Sequence, residues 1–166
     1  EVALKRKKYL AELKNIEQDI REISHDLNRE KSELINNFVV ILNKLFEDQR
    51  NTFSSKLIVS FDPNIKWDLI SNIEKINLYR IVQEGLQNCN KYANADIIKV
   101  EFKNEKNNLV LTIEDDGIGI AKNKQAFLFE KFYRVEQGNL HNTKGLGLGL
   151  YYVDQIVKAH QGSVNV

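Results

Sequence analysis

Little in this sequence can staple the chain or hold a metal. Its 166 residues include one cysteine, Cys89, and three histidines, so no internal disulfide can form and no Cys/His cluster has metal-ligand spacing. A reducing, cytoplasmic setting fits that usage. The net formal charge of +1, from 24 Lys+Arg against 23 Asp+Glu, encodes no general attraction to nucleic acid or anionic lipid. Any phosphate binding has to be local. No apolar run approaches the ~20 residues that span a bilayer, and the N-terminal "EVALKRKKYL" lacks a signal-peptide core. An initiator methionine is lacking too, so the chain reads as a fragment. Its length suits one domain with an appendage rather than two comfortable cores.

What is present is strongly patterned. Leu13, Ile16, Ile20, Ile23 and Leu27 alternate at spacings of three and four, which marks a helix with a coiled-coil or bundle seam. His25 lies on the outer face of that helix, a place that suits a phosphate acceptor and an ordinary surface histidine equally. Residues 32–47 predict a second helix that buries Leu34, Ile35, Phe38, Ile41, Leu42 and Leu45, with Ser32 as its cap. "KLIVSF" (56–61) is a short strand stopped by Asp62 and the only proline, Pro63. Residues 71–93 predict a long helix with Ile73, Ile76, Tyr79 or Arg80, and Val82 inward. "IIKVEF" and "LVLTIED" flank the polar "KNEKNN" as a hairpin, and a loop-rich stretch leads to the helix "LYYVDQIVKAH" and a strand start, "SVNV". The order implies an α+β fold: a two-layer sandwich with helices on one face of a mixed sheet.

Three segments carry chemistry. Glu84, Asn88 and Lys91 recur at i, i+4 and i+7, so a carboxylate, an amide oxygen and an ammonium project from one helix face. They could hold a magnesium ion, its waters and a phosphate chain; a solvated helix face is the plain alternative. In "DDGIGI" (115–120), Gly117 and Gly119 let the backbone turn beside a flat ligand while Asp115 accepts a hydrogen bond from an amino group. The alternative there is a strand-ending turn. In "KGLGLGLYYV" (144–153), Gly145, Gly147 and Gly149 lead into a helix whose first N–H groups and partial positive charge favour an anion. Each signal alone is weak; three in this order at element boundaries are strong.

From about residue 31 to its end the chain resembles the ATP-binding catalytic domain of sensor histidine kinases, which share the Bergerat fold with gyrase-type and chaperone ATPases. The resemblance implies Mg-ATP as ligand, Asn88 as the magnesium ligand, and Glu84 as the group that activates or orients the reacting atoms. Lys91 and Tyr92 match positions that approach the phosphates and line the nucleotide. Asp115 would meet the adenine amino group, with Gly117, Gly119 and Ile120 beneath the ring. Gly145, Leu146, Gly147, Leu148 and Gly149 would line the phosphates beside a lid. "FLFEKFYRV" (127–135) is similar to the phenylalanine-bearing box of larger kinases, with Phe129 and Phe132 as anchors and Arg134 as a phosphate contact; core packing is the alternative for the aromatics. "LYRIVQEGLQNCNKYANA" instead resembles the compact kinases that pair with LuxR/NarL-type regulators, so the chain combines features of two classes, by natural mosaic or by fusion.

The resemblance also bears on His25. In such kinases the phosphoacceptor lies on the first helix of a hairpin, and only residues 26–55 separate His25 from the strand at Lys56. That leaves no room for a hairpin. Arg29 and Glu30 stand where a phosphatase motif would place an amide or threonine. Residues 1–30 are therefore expected to be the return helix of a dimerisation hairpin, and 31–166 the ATP domain with its last strand truncated. The expected partners are a response regulator and a second copy of the chain. Two rivals are a non-enzymatic, nucleotide-gated interaction module and an ATPase or serine kinase of the same fold.

Overall fold

The computed structural model describes residues 38–106, 108–135 and 146–166. The seam helix with His25, the Ser32 cap and Gly145 lie outside the described residues. Apart from Phe38, all described residues belong to one unit, Val39–Val166.

Helix α1 (Phe38–Thr52) continues past the expected end at Glu47. Its buried stripe is Leu42, Leu45 and Phe46, whereas Ile41 is only half-buried. Phe46 displaces Ile41 as a core residue because it joins an aromatic cluster: its ring centroid lies 6.3 Å from Phe61 and 6.5 Å from Phe102. Phe61 and Phe102 stack at 4.8 Å, and Trp67 closes the cluster edge-on. Such offset and edge contacts favour one arrangement of the rings.

Strand β1 (Lys56–Phe61) stops as expected, and the structure shows how. Asp62 Oδ1 accepts the Asn64 N–H at 2.8 Å, and Oδ2 accepts the Asn104 N–H of the neighbouring strand at 3.1 Å. These N–H donors hold the Asp62 carboxyl below the usual carboxylate range.

Helix α2 (Asn72–Asn88) starts with a capping box, in which Ser71 Oγ accepts the Glu74 N–H and Glu74 Oε2 accepts the Ser71 N–H. Ile73 is a correction to the expected core: it is 68% exposed, because the first turn is fixed by polar capping rather than by burial. Val82 and Leu86 form the buried stripe, and Gly85 lies against Ile113.

The sheet has the order β1-β2-β3, with β2 (Ile97–Glu105) parallel to β1 and β3 (Asn108–Asp115) antiparallel to β2. The mixed sheet is borne out. The hairpin is tighter than expected: both strands run into the polar segment, and Lys106 takes a left-handed φ of 50° to reverse the chain. Leu57, Ile98, Val100 and Phe102 are buried, while Ile58, Lys99 and Lys103 face outward. One face is covered and the other is wet.

A short α3 (Lys122–Gln125) follows, then α4 (Gly149–Ala159). Helix α4 ends where the Gly162 N–H reaches the Val157 carbonyl at 2.9 Å and Gln161 adopts φ 57°. Asn77 of α2 meets His160 at 2.9 Å, joining the two helices. "SVNV" does not form a strand: residues 163–166 make no ladder bonds among the described residues. Its alternation supplied the pattern, but a strand needs a partner.

Candidate functional site

On α2, Asn88 Nδ2 donates to Glu84 Oε1 at 3.2 Å. The pairing leaves the amide oxygen of Asn88 for another partner. Glu84 also lies against the start of α4, where a Cβ on Gly149 would collide with its carboxylate. The first and third sequence segments therefore meet at one point. Lys91 follows past the end of the regular α-helix. The helix widens into a π turn over Cys89–Ala93, where each residue advances by less than in an α-helix, and the exposed Lys91 donates to Gln87 Oε1 at 3.2 Å. Tyr92 is half-buried in the same turn, which ends on Asn94 at φ 49°.

Asp115 closes β3 opposite Ile98, so register puts its side chain on the covered face, beside the π turn. Oδ1 accepts the Gly117 N–H at 2.9 Å, and the Cys89 thiol approaches Oδ2 at 3.7 Å. Burial, then the Asp115 charge, pushes the Cys89 thiol up to about 11. The thiol stays protonated at neutral pH and is a poor nucleophile. Gly117 is required by contact: a Cβ there would strike the Ala93 carbonyl, which also accepts the Ile118 N–H at 2.9 Å. Gly119 is different, with φ 66° and open space around it. Ile118 and Ile120, in the same "DDGIGI" segment, are exposed.

At the third segment, the Phe132 N–H donates to the Gly147 carbonyl at 2.9 Å, and both residues have φ 67°. A Cβ on Gly147 would strike the Tyr133 carbonyl. Phe132 is no buried anchor, being 62% exposed; Leu128 is the buried residue of this segment, and Phe129 is half-buried. Arg134 is exposed just beyond. Leu146 is exposed, and Leu148 caps α4 without a side-chain hydrogen bond.

Two structural contributors were not expected from sequence. Asp116 Oδ1 accepts the N–H groups of Asp96 and Ile97 at 2.9 and 2.8 Å, tying the turn to the start of β2. The doubled aspartate of "DDGIGI" was its signal. Lys131 places its ammonium 5.6 Å from the Phe132 ring and 5.7 Å from the Tyr151 ring; a contact across twenty residues leaves no local signal.

Residues 73–166 match the family described as histidine kinase-, DNA gyrase B-, and HSP90-like ATPase. The chain belongs to that family. Among curated relatives, the sensor protein RprX of Bacteroides fragilis is 34% identical over 134 residues, covering 74% of this chain and 25% of the relative. The sensor protein kinase WalK of Staphylococcus aureus is 30% identical over 145 residues, 85% of this chain and 33% of the relative. The NMR structure of the histidine kinase domain of the E. coli osmosensor EnvZ is 28% identical with a TM-score of 0.44, over 66% of this chain and 65% of that one. The chain thus spans a third or less of the curated relatives' length. The family resemblance read from the three motif segments is borne out. No described helix is long and apolar enough to cross a membrane.

Proposed function

We propose that the chain is the ATP-binding catalytic part of a two-component sensor histidine kinase, which binds Mg-ATP and passes its γ-phosphoryl group to a histidine on another segment. The observation that carries this reading is the convergence of separate segments: Glu84 and Asn88 against Gly149, with the Asp115–Gly117 turn docked on Ala93 of the same helix's π turn. Asp115 offers a carboxylate to an amino-bearing flat ring, and the exposed Ile118 and Ile120 follow it in sequence. Gly147, Leu148 and Gly149 bring the first N–H groups of α4 to the phosphate side.

The donors present fit magnesium: a hard ion that keeps most of its waters needs only one or two protein oxygens, and the Asn88 amide oxygen beside Glu84 supplies them. Bound there, the ion would neutralise charge on the phosphates. Glu84 would orient the acceptor, and Lys91, Tyr92, Arg134 and Phe132 would close around the nucleotide from the exposed side. The chemistry is mainly positioning and charge neutralisation, as the phosphoryl group leaves ADP for a ring nitrogen.

In this reading residues 1–30 supply a dimerisation helix, 31–166 the ATP domain, and a response regulator takes the phosphoryl group in the cytoplasm. Incubation with [γ-³²P]ATP, on this chain and on one extended upstream, tests it. Acid-labile label is expected in the extended chain and should survive His25→Gln. Acid-stable label would indicate a serine kinase, and a chain that fails to bind Mg-ATP by calorimetry overturns the reading.

A further inference from the structure

The turn before α4 is held from one side by a residue that no motif points to. We propose that Lys131 is a positioning residue for the phosphate side of the site: through the rings of Phe132 and Tyr151 it holds Phe132 left-handed, so that the Phe132 amide fixes the Gly147–Leu148 peptide and aims the Leu148 N–H at the nucleotide phosphates.

The geometry runs through one peptide plane. No peptide bond of the described residues is cis, and in a trans peptide the C=O and the next N–H point in opposite directions. The Gly147 carbonyl is committed to the Phe132 N–H at 2.9 Å. The Leu148 N–H therefore points away from the 131–133 segment, and no described backbone carbonyl takes it in the turn. Gly147 suits its φ of 67° without strain, but Phe132 at the same φ occupies a region that bulky residues rarely use. Something must hold it there.

Lys131 is placed to do so. Its ammonium lies 5.6 Å from the Phe132 ring and 5.7 Å from the ring of Tyr151, in the first turn of α4. Both separations are within cation–π range. One cation thus links the strained residue to the helix that follows the turn. Tyr151 also packs edge-on against Tyr152 at 5.6 Å, which limits its freedom to leave.

The phosphate arm rests on the nucleotide-binding reading, so the test has a second arm that does not. In the whole 166-residue chain without nucleotide, NMR exchange of the Phe132 amide should be about threefold to tenfold faster in Lys131→Gln and Tyr151→Leu, and close to wild type in Lys131→Arg. By calorimetry Lys131→Gln should weaken Mg-ATP by a similar factor and leave adenosine unchanged, and Lys131→Arg should restore Mg-ATP. Weaker Mg-ATP with unaltered exchange would make Lys131 a direct phosphate ligand and overturn the proposal. So would an arginine variant that restores neither. A wild-type chain that binds no nucleotide would sink the functional reading, and the exchange arm would still decide whether Lys131 holds the turn.

Discussion

The two ends of the site are built by different means. At the Asp115 end, sheet register sets the carboxylate, backbone hydrogen bonds tie the turn to Ala93, and Cys89 and Ala93 are buried beneath it. At the Gly147 end, two left-handed residues, one backbone hydrogen bond and a lysine between two rings hold the chain. The first end can change only by disturbing the core. The second can change by rotating a few backbone bonds.

The sharpest test of this difference sets two glycines against each other. Gly117→Ala should destabilise by about 3 kcal/mol, since its methyl group meets the immovable Ala93 carbonyl. Gly149→Ala should cost less than about 1 kcal/mol, because the obstacle is the flexible end of Glu84, yet it should weaken Mg-ATP by displacing that carboxylate. Urea unfolding measures both; equal losses would erase the distinction.

Next in size is Asp115→Ala. Loss of one directional contact, worth roughly 1–3 kcal/mol, should weaken ATP and ADP alike by about tenfold or more. Calorimetry with unchanged ADP affinity would remove Asp115 from the nucleotide site. Asn88→Ala should have a smaller and more selective effect: adenosine binding persists while the magnesium-dependent part of ATP binding falls. If the loss is the same with and without magnesium, Asn88 is only structural.

The smallest effect concerns pH. The Cys89 thiol is raised from 9.0 to about 11, so between those values the unfolded chain has released a proton that the folded chain keeps. Stability attributable to this group is full below pH 9 and falls as pH rises. At pH 9.5 the loss should be less than about 1 kcal/mol. Cys89→Ala should abolish that component of the slope, and Asp115→Ala should only reduce it, because burial is the larger cause. A slope unaffected by Cys89→Ala would mean that other groups set it.

Much of the fold was legible because its signals are local. The β-rich run "KLIVSF", the alternation in "IIKVEF" and the Asp62–Pro63 stop each occupy a few adjacent residues, and each strand lies where expected. The differences from expectation have both local and long-range causes. Ile73 has the helical spacing of a core residue but lies over a capping box, and "SVNV" alternates without pairing. A π turn replaces regular helix at Cys89–Ala93, and nothing in the spacing of Glu84, Asn88 and Lys91 announces one.

By itself, then, the sequence determined which residue types are available and in what local order: an acid and an amide one helical turn apart, a carboxylate at a strand end, glycines before a helix. Only the tertiary structure decided that Glu84 touches Gly149, that Asp115 and Cys89 share a site, and that Lys131 sits between Phe132 and Tyr151. The reason is physical. Backbone propensity and hydrophobic period act over a few residues, whereas contacts between residues 20 to 65 positions apart depend on how the sheet and helices pack.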